Sequence, residues 1–263
     1  MEQAQDFLDE SDALAAILSD LPDADYDRPT QFKGWTINDV LVHLHFWNGA
    51  ADLSLTDPDQ FTVVLEGLTG ALRKGSLRDH ENVEVKQRGG DLLATWMALY
   101  RDMGPRWTNL EPKTRVAWAG PSMSVRSSMT ARQMETWSHG QEIFDLLGLQ
   151  REEKDRIRNV VVLGVNTFGW TFKVNGLEVP ETMPQVSLTL PSGAAAEFGE
   201  PGDNRISGSA VAFAQVVTQT RNIADTELSV EGPVATTWME KAQCFAGPPE
   251  APPAPGSRYR QAG

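Results

Sequence analysis

Glu135 and His139 stand four residues apart in the stretch RQMETWSHGQEIFDLLG, which runs from Arg132 to Gly148. On an α-helix, residues i and i+4 share a face one turn apart. A carboxylate oxygen and an imidazole nitrogen can then be directed at one atom. That donor pair suits a first-row divalent ion such as zinc or nickel, with zinc the common case. Two ligands on one helix do not make a site, so a third must come from elsewhere. The chain has four histidines, which leaves His43, His45 and His80. His43 and His45 lie two residues apart and face roughly opposite sides of a helix. Val40, Leu44 and Trp47 mark its apolar side. His43 also follows Asp39 by one turn, and a carboxylate there can accept the proton of the outer ring nitrogen, as metal-binding histidines usually require. This favours His43 as the third ligand. His80, in the polar run LRDHENVE, is expected in a solvent-facing loop. The same residues also fit a Glu–His pair on a helix surface and a satisfied core histidine, and spacing by itself leaves both readings open.

Other residues carry weaker signals. Trp47 and Trp137 flank the candidate ligands in sequence; core packing is the commoner use of such rings, and walls of a cleft the alternative. Arg132, three residues before Glu135, is placed either to orient that carboxylate or to form a surface ion pair. Gln219 and Gln243 are candidate substrate contacts, although exposed glutamines are common. Cys244 reads as a small buried apolar residue.

These side chains must be positioned by helices. Phe7, Leu8, Ser11, Leu14, Ala15, Leu18 and Leu21 recur at helical spacing, so a helix is expected over residues 3–20. Thr36, with Asp39 three residues on, approximates a capping box and opens a second helix over about 36–53. A shorter helix is expected over 59–72 with a loop after it. A further long helix begins at Gly90–Asp91 and is expected to stop near Met103, before Gly104–Pro105. RVAWAGPSMS reads as a loop. The helix that carries Glu135 and His139 ends at Gly148, a C′ glycine. One more helix is expected to about residue 172. After Asn175–Gly176 the pattern changes. Val186, Leu188 and Leu190 alternate as in a strand. AAAEFGEPGDNRISG reads as a second strand and a turn, SAVAFAQVVTQTR as a helix, DTELSVEG as a strand, and PVATTWMEKAQCFAG as a helix opened by Pro233. Three parts follow: an all-helical part, 1–175; a small α/β unit, 176–246; and a Pro-rich tail, 247–263, mobile or draped over the surface.

The bulk numbers exclude several classes. At 263 residues and 40% hydrophobic, the chain is long enough to bury a real core. A net charge of −13 repels nucleic-acid phosphate and anionic lipid. The acidic N-terminus does not read as a secretory signal, and no apolar run is long enough for a membrane span. The single cysteine, Cys244, makes no internal disulfide and fits a reducing, cytoplasmic setting. The expected partner is a small-molecule substrate, for a monomer or homodimer.

Two stretches also carry a family resemblance. GWTINDVLVHL resembles the first metal segment of the DinB/YfiT-like metal-binding superfamily, and RQMETWSHGQEIFDLLG resembles the second. The match is to the mycothiol-dependent maleylpyruvate isomerase branch, with wording (ETWSHGQ, AQCFAG) similar to an uncharacterised actinobacterial subgroup. The resemblance implies a four-helix bundle holding a divalent metal through His43, Glu135 and His139, the histidine chosen above from the helix pattern. It also implies that ISGSAVAFAQVVTQTRNIADTELSVEGPVATTWMEKAQCFAG is a small sterol-carrier-like (SCP2-like) α/β domain. An arginine of that domain, matched here by Arg221, would serve catalysis, against the alternative of a surface arginine at a helix end. The implied cofactors are the metal and a low-molecular-weight thiol such as mycothiol. Three functions are therefore carried forward: a metal- and thiol-dependent isomerase or S-transferase; a metal-dependent hydrolase or lyase without thiol; and a non-catalytic binder of a small ligand.

Overall fold

The computed structural model describes residues 1–73 and 77–262. The chain forms two compact units, Met1–Ile143 and Phe144–Gly263. It is mostly helical, with two small sheets.

The first unit is built from α1 (Glu2–Leu18), α2 (Ile37–Thr56), α3 (Pro58–Arg73), α4 (Leu77–Glu84), α5 (Gly89–Thr108) and the body of α6 (Val125–Leu146). A short antiparallel pair, β1 (Arg115–Val116) and β2 (Met123–Ser124), precedes α6, where the sequence suggested a plain loop. The apolar stripe of α1 is buried as expected: Phe7, Leu14 and Leu18 are inaccessible to solvent. Phe7 meets Tyr100 of α5 edge-on, with ring centroids 6.4 Å apart. The capping box of α2 forms: the Thr36 hydroxyl accepts from the Asp39 amide at 3.1 Å, and Asp39 accepts from the Thr36 amide at 2.8 Å.

Two expectations fail in this unit. The helix stop expected before Gly104–Pro105 is absent, because α5 runs on to Thr108. Met103 and Trp107 are fully buried, and the Trp107 indole donates to Asp52 of α2 at 2.9 Å, so tertiary packing holds the last turn in spite of the proline. The loop expected after residue 72 is instead largely the helix α4; residues 74–76 of that loop lie outside the described residues.

The second unit holds α7 (Arg158–Asn166) and α8 (Phe168–Val174), split at Thr167 where one helix was expected. A four-stranded sheet follows, made of β3 (Gln185–Thr189), β4 (Ala195–Phe198), β5 (Arg205–Ser209) and β6 (Ser229–Glu231) in the order β4-β3-β5-β6. β3 and β5 are parallel; the other two pairings are antiparallel. The segment read as one strand and a turn thus supplies two strands. Val186, Leu188, Ala196 and Ile206 are buried with the helix α9 (Ala210–Val217). In α10 (Pro233–Lys241), Trp238 packs edge-on against Phe168 and Phe213 at 4.9 and 5.6 Å. The Pro-rich tail is draped on this unit rather than loose. Gln219 and Gln243, considered above as substrate contacts, are buried and hold it: the Gln219 amide donates to the Glu250 carbonyl at 2.9 Å, and the Gln243 amide to Pro248 at 3.1 Å.

Candidate metal centre

α2 and α6 bring His43, Glu135 and His139 together. Glu135 Oε2 lies 3.4 Å from His43 Nε2 and 3.3 Å from His139 Nε2. One ligand atom from each residue falls within 4.8 Å of the others, which is compatible with a shared ion. His45 points elsewhere on the same helix; its Nδ1 is buried without a hydrogen-bond partner among the described residues, and burial lowers its pKa.

The outer nitrogen of His43 is held, but not by Asp39. Its Nδ1 meets Glu81 Oε1 at 3.0 Å, and the Trp47 indole donates to the same oxygen at 2.7 Å. Asp39 is occupied by the cap of α2, by Arg78 Nε at 2.9 Å and by Asn82 at 3.2 Å. Glu81 is 1% exposed on α4, so a buried carboxylate fixes the His43 ring and leaves Nε2 directed at Glu135. Spacing from His43 missed this residue because Glu81 comes from another element. Its signal was its place one turn from Leu77 and Val85 in a run read as loop. His80 shares that helix and is half-buried, 5.8 Å from the Phe46 ring centroid, rather than facing solvent in a loop.

The charges of the three residues are set by burial and by one another. Burial pushes the His43 pKa down, but the carboxylates of Glu81 and Glu135 outweigh it and raise it to about 9. Burial raises Glu135, yet hydrogen bonds from His139 and His43 hold it well below the usual carboxylate value. His139 is lowered, chiefly by burial, although Glu135 opposes the shift. Glu135 is thus an ionised carboxylate between a protonated His43 and a neutral His139, and a divalent cation there takes the place of the His43 proton.

Aromatic rings line the group. Trp35 stacks on His139 at 5.5 Å with nearly parallel planes, and Phe32 meets the same imidazole edge-on at 5.1 Å. Both come from the turn before α2, where Lys33 and Gly34 have φ of 52° and 65°. This left-handed pair reverses the chain and sets the two rings on one side. Trp47 lies 6.2 Å from His43, whereas Trp137 is 1% exposed and belongs to the core. Arg221 lies in the second unit, where its Nη2 donates to the buried carboxylate of Asp145 at 2.7 Å. Cys244 is buried, as its apolar neighbours suggested.

Comparison with known proteins places the chain in a family. Two uncharacterised proteins of Mycobacterium tuberculosis, from strains H37Rv and CDC 1551, are each 34% identical over 242 residues, spanning 91% of this chain and 93% of the relative. The crystal structures of the mycothiol-dependent maleylpyruvate isomerase and of a substituted form of it superpose with a TM-score of 0.54. That match covers 82% of this chain and 87% of theirs at 14% identity, a likeness of fold. The model of the mycothiol maleylpyruvate isomerase N-terminal domain matches residues 7–144, the stretch that contains all three candidate ligands and Glu81. The chain therefore belongs to the mycothiol maleylpyruvate isomerase N-terminal domain family, the mycothiol-dependent isomerase-like branch of the DinB-like proteins.

Proposed function

We propose that the protein is a metal-dependent enzyme acting on a small molecule, with His43, Glu135 and His139 as ligands and a mycothiol-type thiol as co-substrate. Its reaction would be an isomerisation or an S-transfer. The observation that carries this reading is the convergence of His43 Nε2, His139 Nε2 and Glu135 Oε2, with Glu81 fixing the outer nitrogen of His43. Three protein ligands leave positions open to solutes, the arrangement of catalytic rather than structural sites. A zinc or nickel ion bound there supplies Lewis acidity, lowering the pKa of a thiol so that the thiolate is present at neutral pH. The protein's own part is positional. Glu81, itself held by Trp47, fixes the His43 ring, while Trp35 and Phe32 pack against the His139 ring.

In an isomerisation of this type, the thiolate adds to a carbon–carbon double bond conjugated to a carbonyl. Rotation occurs about the resulting single bond, and elimination returns the thiol. No electrons are gained or lost overall. Arg221 is assigned to a substrate carboxylate in this reading, for which it must share or exchange Asp145. Arg221→Gln is expected to lower turnover and leave metal content unchanged. We further propose that the long helices of the first unit form a DinB-like four-helix bundle, and that the sheet-containing part is SCP2-like.

The test is elemental analysis of protein purified without chelators. Wild type should carry about one divalent ion per chain, and His139→Ala and Glu135→Gln should lose it. Metal-free wild type would sink the reading. Water-based hydrolase or lyase chemistry uses the same open positions, and turnover that does not depend on added thiol would favour it.

A further inference from the structure

Arg132 lies three residues before Glu135 on α6. It is neither a surface residue nor a hydrogen-bond donor to Glu135. The residue is 4% exposed, and its Nε and Nη1 are buried without a hydrogen-bond partner among the described residues. A guanidinium stays protonated in proteins, so this is a desolvated cation. Glu135 lends it a favourable field, but Glu135 Oε2 is directed between His43 and His139 at 3.4 and 3.3 Å. Other arginines are answered: Arg101, Arg106 and Arg221 each reach a carboxylate at 2.7 or 2.8 Å.

The surroundings of Arg132 join it to the candidate centre. Its guanidinium carbon lies 5.2 Å from the centroid of the Trp118 ring. Trp118 stands 5.4 Å from Trp47, which donates to Glu81, which in turn holds His43. Phe61 stacks on Trp118, with ring centroids 6.3 Å apart. Trp118 is half-buried on the β1–β2 loop, and its neighbours Ala117, Ala119, Gly120, Pro121 and Ser122 are exposed.

We infer that Arg132 binds a carboxylate, distinct from the one assigned above to Arg221, of the small-molecule ligand whose reacting end lies at His43, Glu135 and His139. A carboxylate is planar, anionic and accepts from a guanidinium in a fork, and it fits beside an indole that already covers the cation's face. The position of the ligand's reacting end rests on the metal-centre reading; the anion site at Arg132 does not.

The test titrates maleate, and its uncharged dimethyl ester, into zinc-loaded and chelator-treated protein, followed by tryptophan fluorescence and calorimetry. Maleate is expected to bind wild type. Arg132→Met should weaken it by about tenfold or more, as loss of a hydrogen-bonded charge does, and leave the ester unchanged. No maleate binding, equal maleate affinity in the two proteins, or an equal loss for the ester would overturn the assignment. Zinc content and circular dichroism report whether Arg132→Met folds. If it does not, Arg132→Lys, which keeps the charge but not the fork, is judged by the same maleate-against-ester comparison. If the protein takes up no zinc but maleate binding still depends on Arg132, the metal reading fails and this one stands. Zinc uptake with maleate binding indifferent to Arg132 gives the reverse.

Discussion

In the metal-free protein His43 is an imidazolium at neutral pH, because Glu81 and Glu135 raise its pKa to about 9 against the effect of burial. A metal binds only the neutral ring, so His43 must lose a proton on metal binding. His139 is lowered and already neutral. Zinc binding at pH 7 should therefore release about one proton per chain, measured by calorimetry in buffers of different ionisation enthalpy. Apparent affinity should rise about tenfold per pH unit up to the His43 pKa and level off above it. Release of two protons, or none, would contradict this assignment of charge. Glu81→Gln removes the carboxylate behind His43 and should weaken zinc affinity by about ten- to a hundredfold, as loss of such outer partners does. Asp39→Asn should leave zinc affinity nearly unchanged, although spacing along α2 first pointed to that residue. Sequence spacing measures proximity only along one helix. It identified the i,i+4 pair and His43, and missed Glu81, whose distance to His43 is set by how α4 packs on α2.

At the scale of elements, helices are legible where one face is apolar and the ends are capped. α1 and α2 start and stop close to the residues their patterns indicate, and the box of Thr36 and Asp39 forms. α5 is the counter-case: Gly104–Pro105 is a local stop signal that burial of Trp107 overrides. α4 has few apolar residues, so periodicity in its sequence reads as loop. Close helix approach is equally invisible in one dimension. A Cβ on Gly164 of α7 would stand 2.8 Å from Val217 Cγ2 and 3.0 Å from Phe213 Cε1, both buried side chains of α9. Gly164→Ala gains about 1 kcal/mol of helix propensity but overpacks this contact by roughly 1–3 kcal/mol. The expected outcome is a net loss of stability, read as a lower denaturation midpoint in urea. A stabilised variant would mean that α7 and α9 separate without strain.

At the scale of the whole molecule, the C-terminal tail acts as a structural strap on the second unit. Gln219 donates to Ala242 and Glu250, Gln243 to Phe245 and Pro248, and the Gln243 carbonyl accepts from the Glu250 amide at 2.9 Å. The Gln261 amide donates to the Asp145 carbonyl at 2.9 Å. Deletion of residues 249–263 removes the Gln219–Glu250, Glu250–Gln243 and Gln261–Asp145 hydrogen bonds, at about 1 kcal/mol each. The truncated chain should melt at a lower temperature while its zinc content stays the same; an unchanged melt would show the strap to be idle. No helix among the described residues is long and apolar enough to cross a membrane, in line with the absence of a long apolar run. By itself, the sequence determined the helical class of the first part, the i,i+4 spacing of Glu135 and His139 on α6, the preference for His43 as the candidate third partner, and the family, because each is written in local periodicity or in short motifs. Only the tertiary structure decided that Glu81 supports His43, that Trp35 and Phe32 wall His139, that Arg132 is buried beside Trp118 with its Nε and Nη1 unbonded among the described residues, and that Gln219 and Gln243 anchor the tail. Those facts depend on distances between residues remote in the chain, and such distances are set by packing rather than by spacing along the sequence.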